Sequence, residues 1–150
     1  MSAKISPPPP APSRVRVPGQ AGRAVIVARI GWGVFFAGSA VFNTVFFVPH
    51  ARSVLQWCAS VSWPGADLLV QRLILPVSAP FAVLVVCFEL ATAVLLLVPR
   101  YARIGWVLSL GWLAALIPFL GWYALANVIL LALLVPLAER IYRRGHAPTR

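Results

Sequence analysis

Four side chains place an amide or charged head inside otherwise apolar runs: Glu89, Asn43, Asn127 and Arg29. Glu89 stands in CFELATAVLLLVPR, residues 87–100, where no other charge occurs before Arg100. A charge at bilayer depth costs about 3 kcal/mol unless it is neutralised, paired or wetted. An apolar residue would fill the same space at less cost, so Glu89 is a candidate ligand-orienting or proton-accepting group. Asn43 and Asn127 are amides able to hydrogen-bond across helices and fix their register. Arg29 falls about one turn into the first apolar run, where its side chain can snorkel to the headgroups.

Other chemistry lacks its residues. Cys58 and Cys87 form no C-x-x-C pair and His50 and His146 stand alone, so no metal site is expected. There is no second membrane carboxylate, no nucleophile beside a base and no glycine-rich phosphate loop. No catalytic residue is assigned, no cofactor motif is evident, and catalysis by this chain alone is not expected.

The elements that must position these residues follow from composition. Of 150 residues, 61% are hydrophobic and 11% charged, in runs near the length that crosses a bilayer, which is the composition of an integral membrane protein. The net charge of +10 comes from basic residues that flank the apolar runs, with no aromatic or zinc-finger pattern. That distribution points to anionic lipid headgroups and membrane topology, and not to nucleic acid.

The expected fold is all-α, a four-helix transmembrane bundle with an interfacial amphipathic segment between spans one and two. Residues 1–23 read as a disordered cytoplasmic arm rich in proline and arginine. Residues 24–140 hold the bundle, with spans at about 25–48, 80–98, 104–117 and 121–137, and 141–150 form a basic tail. The last two spans are separated because residues 104–138 are apolar throughout; a single helix of that length would measure about 52 Å against a hydrocarbon core of about 30 Å. IPFLGWY in its middle supplies the turn. Between residues 49 and 75, Val54, Trp57, Cys58 and Val61 recur at helical spacing opposite Arg52, Ser53, Gln56 and Ser60, so this segment is expected on the membrane surface or against the bundle mouth. Gly33 with Ala37, Gly105 with Ser109 and Gly111 with Ala115 are small pairs suited to close helix packing.

With four spans, eleven of the thirteen basic residues fall on one side and only Arg52 and Arg72 on the other. The positive-inside rule then places both termini in the cytoplasm of a multi-pass protein of the bacterial plasma membrane.

ARIGWGVFFAGSAVF in span one, the interfacial insert, and PFAVLVVCFELATAVLLLVPRYARIGWVLSL across spans two and three together resemble the DoxX-like family of small four-helix bacterial membrane proteins. The resemblance covers about residues 27–137 and places Arg29, Gly31, Gly38, Glu89 and Arg100 at the family's recurrent positions. Where many members carry a lysine after the span-one glycine, this chain reads GSAVFN, with Asn43 as the nearest polar group. The resemblance implies a membrane subunit beside a second chain, as in a quinone-linked thiosulfate oxidoreductase. Two readings result. In one, the chain is a non-catalytic subunit or anchor for a protein partner at the membrane. In the other, it handles a quinone or small solute in an intramembrane cavity, with Glu89 as the binding group and Arg29, Asn43 and Asn127 as further candidates.

Overall fold

A computed structural model of the chain describes residues 20–144. Helix α1 (Gln20–Phe42) takes in the last four residues of the expected disordered arm, whose residues 1–19 lie outside the described part. It passes directly into a π-helical turn, Asn43–Phe47, closed by the Val48 N–H donating to the Asn43 carbonyl at 2.9 Å. Pro49 ends the run, because its ring cannot continue the hydrogen-bond ladder. Helix α2 (Ala51–Val61) follows, and then Pro64 and Gly65, the latter at φ 95°.

Helix α3 (Ala66–Leu69) runs on through a π-helical turn, Val70–Ile74, and a 3₁₀ turn, Leu75–Val77, into α4 (Ser78–Leu97). The surface segment expected to reach residue 75 is therefore shorter, since from Ala66 onward the chain is helical up to α4. Pro76 permits this by standing in the first turn of a new helical element, where its missing N–H would have had no partner anyway. A 3₁₀ turn, Pro99–Tyr101, leads to α5 (Ala102–Leu120), and another, Gly121–Ala124, to α6 (Leu125–Arg144); residues 145–150 of the basic tail lie outside the described part. No strand occurs among the described residues.

Among the described residues, three helical stretches are long and apolar enough to cross a membrane: Val25–Phe47, Ala66–Leu97 and Pro99–Leu137. The sequence led to an expectation of four. Pro118 does not divide the third stretch but stays inside the last turn of α5, and the chain turns at Gly121, whose φ of 52° is open to glycine and strained for other residues. Beyond it α6 lies back along α5, with Leu130 and Leu134 against the cluster that holds Trp106 and Leu113.

The outward faces are as apolar as the interior. Val45 is 72% exposed and Leu133 67%, a surface that hydrocarbon can solvate and water cannot. Inside, small residues decide the closest approaches. A Cβ on Gly33 would meet the Leu97 side chain at 2.9 Å, and one on Gly105 would meet the Leu96 backbone nitrogen at 2.7 Å. The third expected pair is different, because Gly111 has nothing within 4 Å of a Cβ. These contacts, with Ser39 and Asn43 reaching Glu89, set α1 antiparallel to α4 and α4 antiparallel to α5.

Candidate functional site

Ser39 of α1 and Asn43, at the start of the π-helical turn that continues it, lie four residues apart and so on one helical face, and that face meets α4 at Glu89. The Asn43 amide donates to both carboxyl oxygens of Glu89, at 2.9 Å to Oε1 and 2.8 Å to Oε2, while the Ser39 hydroxyl donates to Oε1 at 2.7 Å. Glu89 is only 4% exposed. A buried acid of this kind would be costly without partners, and here neutral donors of one neighbouring helix supply them. Asn43 is also the first residue of the π-helical turn. Such turns interrupt regular α-helix and recur at functional sites.

Glu89, Ser39 and Asn43 stand on the wall of a cavity of about 520 Å³ enclosed by α1, α2, the turn before α4, α4, α5 and α6. Its walls are otherwise apolar and strongly aromatic, including Phe36, Phe42, Phe46, Trp112 and Phe119. Asn127 of α6 reaches the same cavity, and its amide nitrogen is buried without a hydrogen-bond partner. One wall thus carries an acid held in place by its neighbours, and another carries an unspent donor. A ligand that matches both needs a polar head with a donor and an acceptor on an apolar, flat body.

Helix α2 closes one end. Its buried face is Ala51, Leu55 and Ala59, packed with Phe47, Val70, Ala82 and Val85, while Trp57 points outward, 45% exposed, against Tyr123 at 5.3 Å. Of the stripe Val54, Trp57, Cys58 and Val61, Val54 and Cys58 line the cavity, as a helix folded against the bundle mouth would have it, while Trp57 faces outward and the most buried residues are Ala51, Leu55 and Ala59. The residues after α2 lock onto the end of α5. The Trp63 N–H donates to the Pro118 carbonyl at 3.0 Å and the Ser62 hydroxyl to the Phe119 carbonyl at 2.9 Å, which satisfies carbonyls that a helix end leaves free. A Cβ on Gly121 would collide with the Val61 carbonyl.

The side of the cavity is more open. Helix α1 packs along α4, α4 along α5 and α5 along α6, whereas α1 and α6 share no comparable packing. Phe35, Phe42 and Phe46 line the cavity and are also 51%, 60% and 48% exposed on the outer surface, so the cavity reaches the lateral face along α1.

Of the four residues singled out in the sequence, Glu89, Asn43 and Asn127 come together in this cavity and Arg29 does not; Arg29 lines a separate cavity with Arg100, Arg103 and Trp106. Ser39 was missed as a ligand of Glu89, since a serine in GSA reads as a small packing residue, although its spacing from Asn43 places both on one helix face. Cys58 also lines the cavity. Burial pushes its thiol above the ordinary range, outweighing a backbone hydrogen bond that acts the other way. No protein-family model, curated protein or solved structure matches the chain.

Proposed function

We propose that this chain is a membrane protein that binds a lipophilic small molecule of the quinone class in its intramembrane cavity, with Glu89 orienting the polar head. The observation that carries the reading is the buried Glu89 carboxyl, held by Ser39 and Asn43 on the wall of an aromatic cavity of about 520 Å³. The residues fit such a head. A quinone carbonyl can accept from the unpartnered Asn127 amide, a quinol hydroxyl can donate to Glu89, and the ring can lie among Phe42, Phe46 and Trp112. A long apolar tail would leave by the lateral opening along α1 and never enter water.

The bundle crosses the membrane four times in this reading, with α5 and α6 as the two arms of the third apolar stretch and both termini in the cytoplasm. Trp57, Trp63, Trp122 and Tyr123 are all exposed and cluster where α2 meets the α5–α6 turn, as residues of a headgroup belt would. A DoxX-like bundle beside a redox enzyme of the bacterial plasma membrane is the setting in which such binding has a use.

The test is extraction of the purified full chain with organic solvent. Retention of quinone by the wild type, and its loss in Ala115→Phe, which fills the cavity from an exposed position, is expected. Equal amounts of quinone in both proteins, or none in either, would leave the anchor reading in its place. Thiol labelling of intact cells, with the native cysteines removed, should modify a cysteine placed at Ser60 and spare one at Ser13; the reverse would overturn the orientation.

A further inference from the structure

At the end of the bundle away from α2, a second cavity of about 360 Å³ lies between the start of α1 and the α4–α5 turn, lined by Val25, Arg29, Pro99, Arg100, Arg103 and Trp106 among others. Two of its hydrogen-bond donors are buried and without a partner: Arg29 Nε and Trp106 Nε1. An orphaned buried donor is unfavourable, and more so when it belongs to a cation, so both call for an acceptor from outside the bundle. Arg100 adds positive charge at the rim. Acids are scarce, with three in the whole chain. Glu89 is engaged by Ser39 and Asn43, Asp67 accepts from the Gly65 N–H at the opposite end, and Glu139, the third, is exposed near the end of α6 and does not line the cavity.

We infer that this cavity is a binding site for a phosphate group, held by the Arg29 guanidinium and the Trp106 indole N–H. A phosphate offers several oxygens to one small volume. The planar guanidinium fork can meet two of them and the indole N–H a third, a match that a chloride ion or a single carbonyl does not provide. The cavity sits where apolar helices end, at the depth of headgroups, so the group comes either as the phosphodiester of an anionic lipid or as free phosphate. Arg29 then has a role distinct from Glu89: it fixes the cytoplasmic rim of α1 against the α4–α5 turn through a bound anion.

The experiment uses the full chain in nanodiscs of phosphatidylcholine doped with phosphatidylglycerol, read by native mass spectrometry of retained lipid. Wild type should retain phosphatidylglycerol over phosphatidylcholine, and Arg29→Gln should lower that preference about tenfold, the scale of a lost charged hydrogen bond. Arg29→Lys keeps the charge and lacks the Nε–H, and should also lose several-fold. Trp106→Phe keeps the ring and should weaken retention while the melting temperature reports whether the fold survives. Arg23→Gln, exposed near the same end and outside the cavity, should change nothing. Displacement of the lipid by inorganic phosphate would identify free phosphate as the ligand, and resistance to it would identify the lipid; both support the site. Equal retention in wild type and Arg29→Gln, or an equal loss in Arg23→Gln and Arg29→Gln, would overturn it, since bulk attraction would then suffice.

Discussion

The two ends of this bundle solve the same problem in opposite ways. At the α2 end, most buried polar groups are matched within the chain, Glu89 by Ser39 and Asn43 and the last carbonyls of α5 by Trp63 and Ser62, and the Asn127 amide alone is left open to the cavity. At the arginine end, Arg29 and Trp106 keep buried donors with no acceptor among the described residues. The contrast separates groups fixed by folding from groups that depend on what surrounds the protein. A ligand at the first end meets a prepared acid, whereas an anion at the second completes the structure.

Substitutions should expose that difference, and the largest effect is expected at the closed end. Gly121→Val forces a branched side chain into φ 52° and against the Val61 carbonyl, so a loss of about 3 kcal/mol or more is expected, seen as a failure to recover monodisperse protein in detergent. Gly65 also has positive φ but open space around it, so Gly65→Ala should cost only about 1–2 kcal/mol in the same assay. Similar losses in the two proteins would mean that the contact between α2 and the α5–α6 turn does not hold this end shut.

Glu89→Ala comes next, since it strands the Asn43 amide and the Ser39 hydroxyl in a dry wall, at about 2–3 kcal/mol by thermal or denaturant melting. Glu89→Gln should be mild. The Asn43 amide can turn so that its oxygen accepts from the new amide while its nitrogen still donates, which keeps the pair satisfied. A smaller effect is expected at Gly105→Ala, about 1–2 kcal/mol, because Leu96 backbone lies in the way, against no loss for Gly111→Ala, where space is open. Matching melts for these two would show that the α4–α5 approach is loose.

The smallest effect is kinetic. Cys58 is partly buried in the cavity wall with its thiol pushed up, so less thiolate is present at neutral pH than for an ordinary cysteine, and alkylation should be slow and should quicken as the pH rises above neutrality. Cys58 in the denatured chain serves as the reference for intrinsic reactivity. A quinone analogue that occupies the cavity should protect Cys58 in the folded protein and not in the denatured chain, as read by mass spectrometry of the labelled peptide.

Part of this arrangement is legible in the sequence and part is not. An acid and two amides in apolar runs announce themselves, because their cost in hydrocarbon demands partners, and Glu89, Asn43 and Asn127 do meet in one cavity. Gly33 and Gly105 are legible for a similar reason, as small residues allow close backbones. The cavity itself is not, since its aromatic walls come from separate helices and each phenylalanine alone looks like lipid-facing bulk. The inner face of α2 was legible in part: Val54 and Cys58 line the cavity, whereas Ala51 and Ala59, which are buried with Phe47, Val70 and Val85, are weak hydrophobic signals beside Trp57. IPFLGWY offered both Pro118 and Gly121 as turn residues; Gly121 makes the turn, while Pro118 stays inside the last turn of α5.

The most direct measurement titrates a short-tailed quinone analogue into wild type and Glu89→Gln in the same detergent, following fluorescence quenching with Trp112 in the cavity wall as the reporting ring. The account expects saturable binding by the wild type, an affinity lowered about tenfold or more in Glu89→Gln, and melting temperatures that differ little between the two, because the acid and not the packing is what the head requires. Equal affinities would contradict it and make Glu89 a structural partner of Ser39 and Asn43 alone.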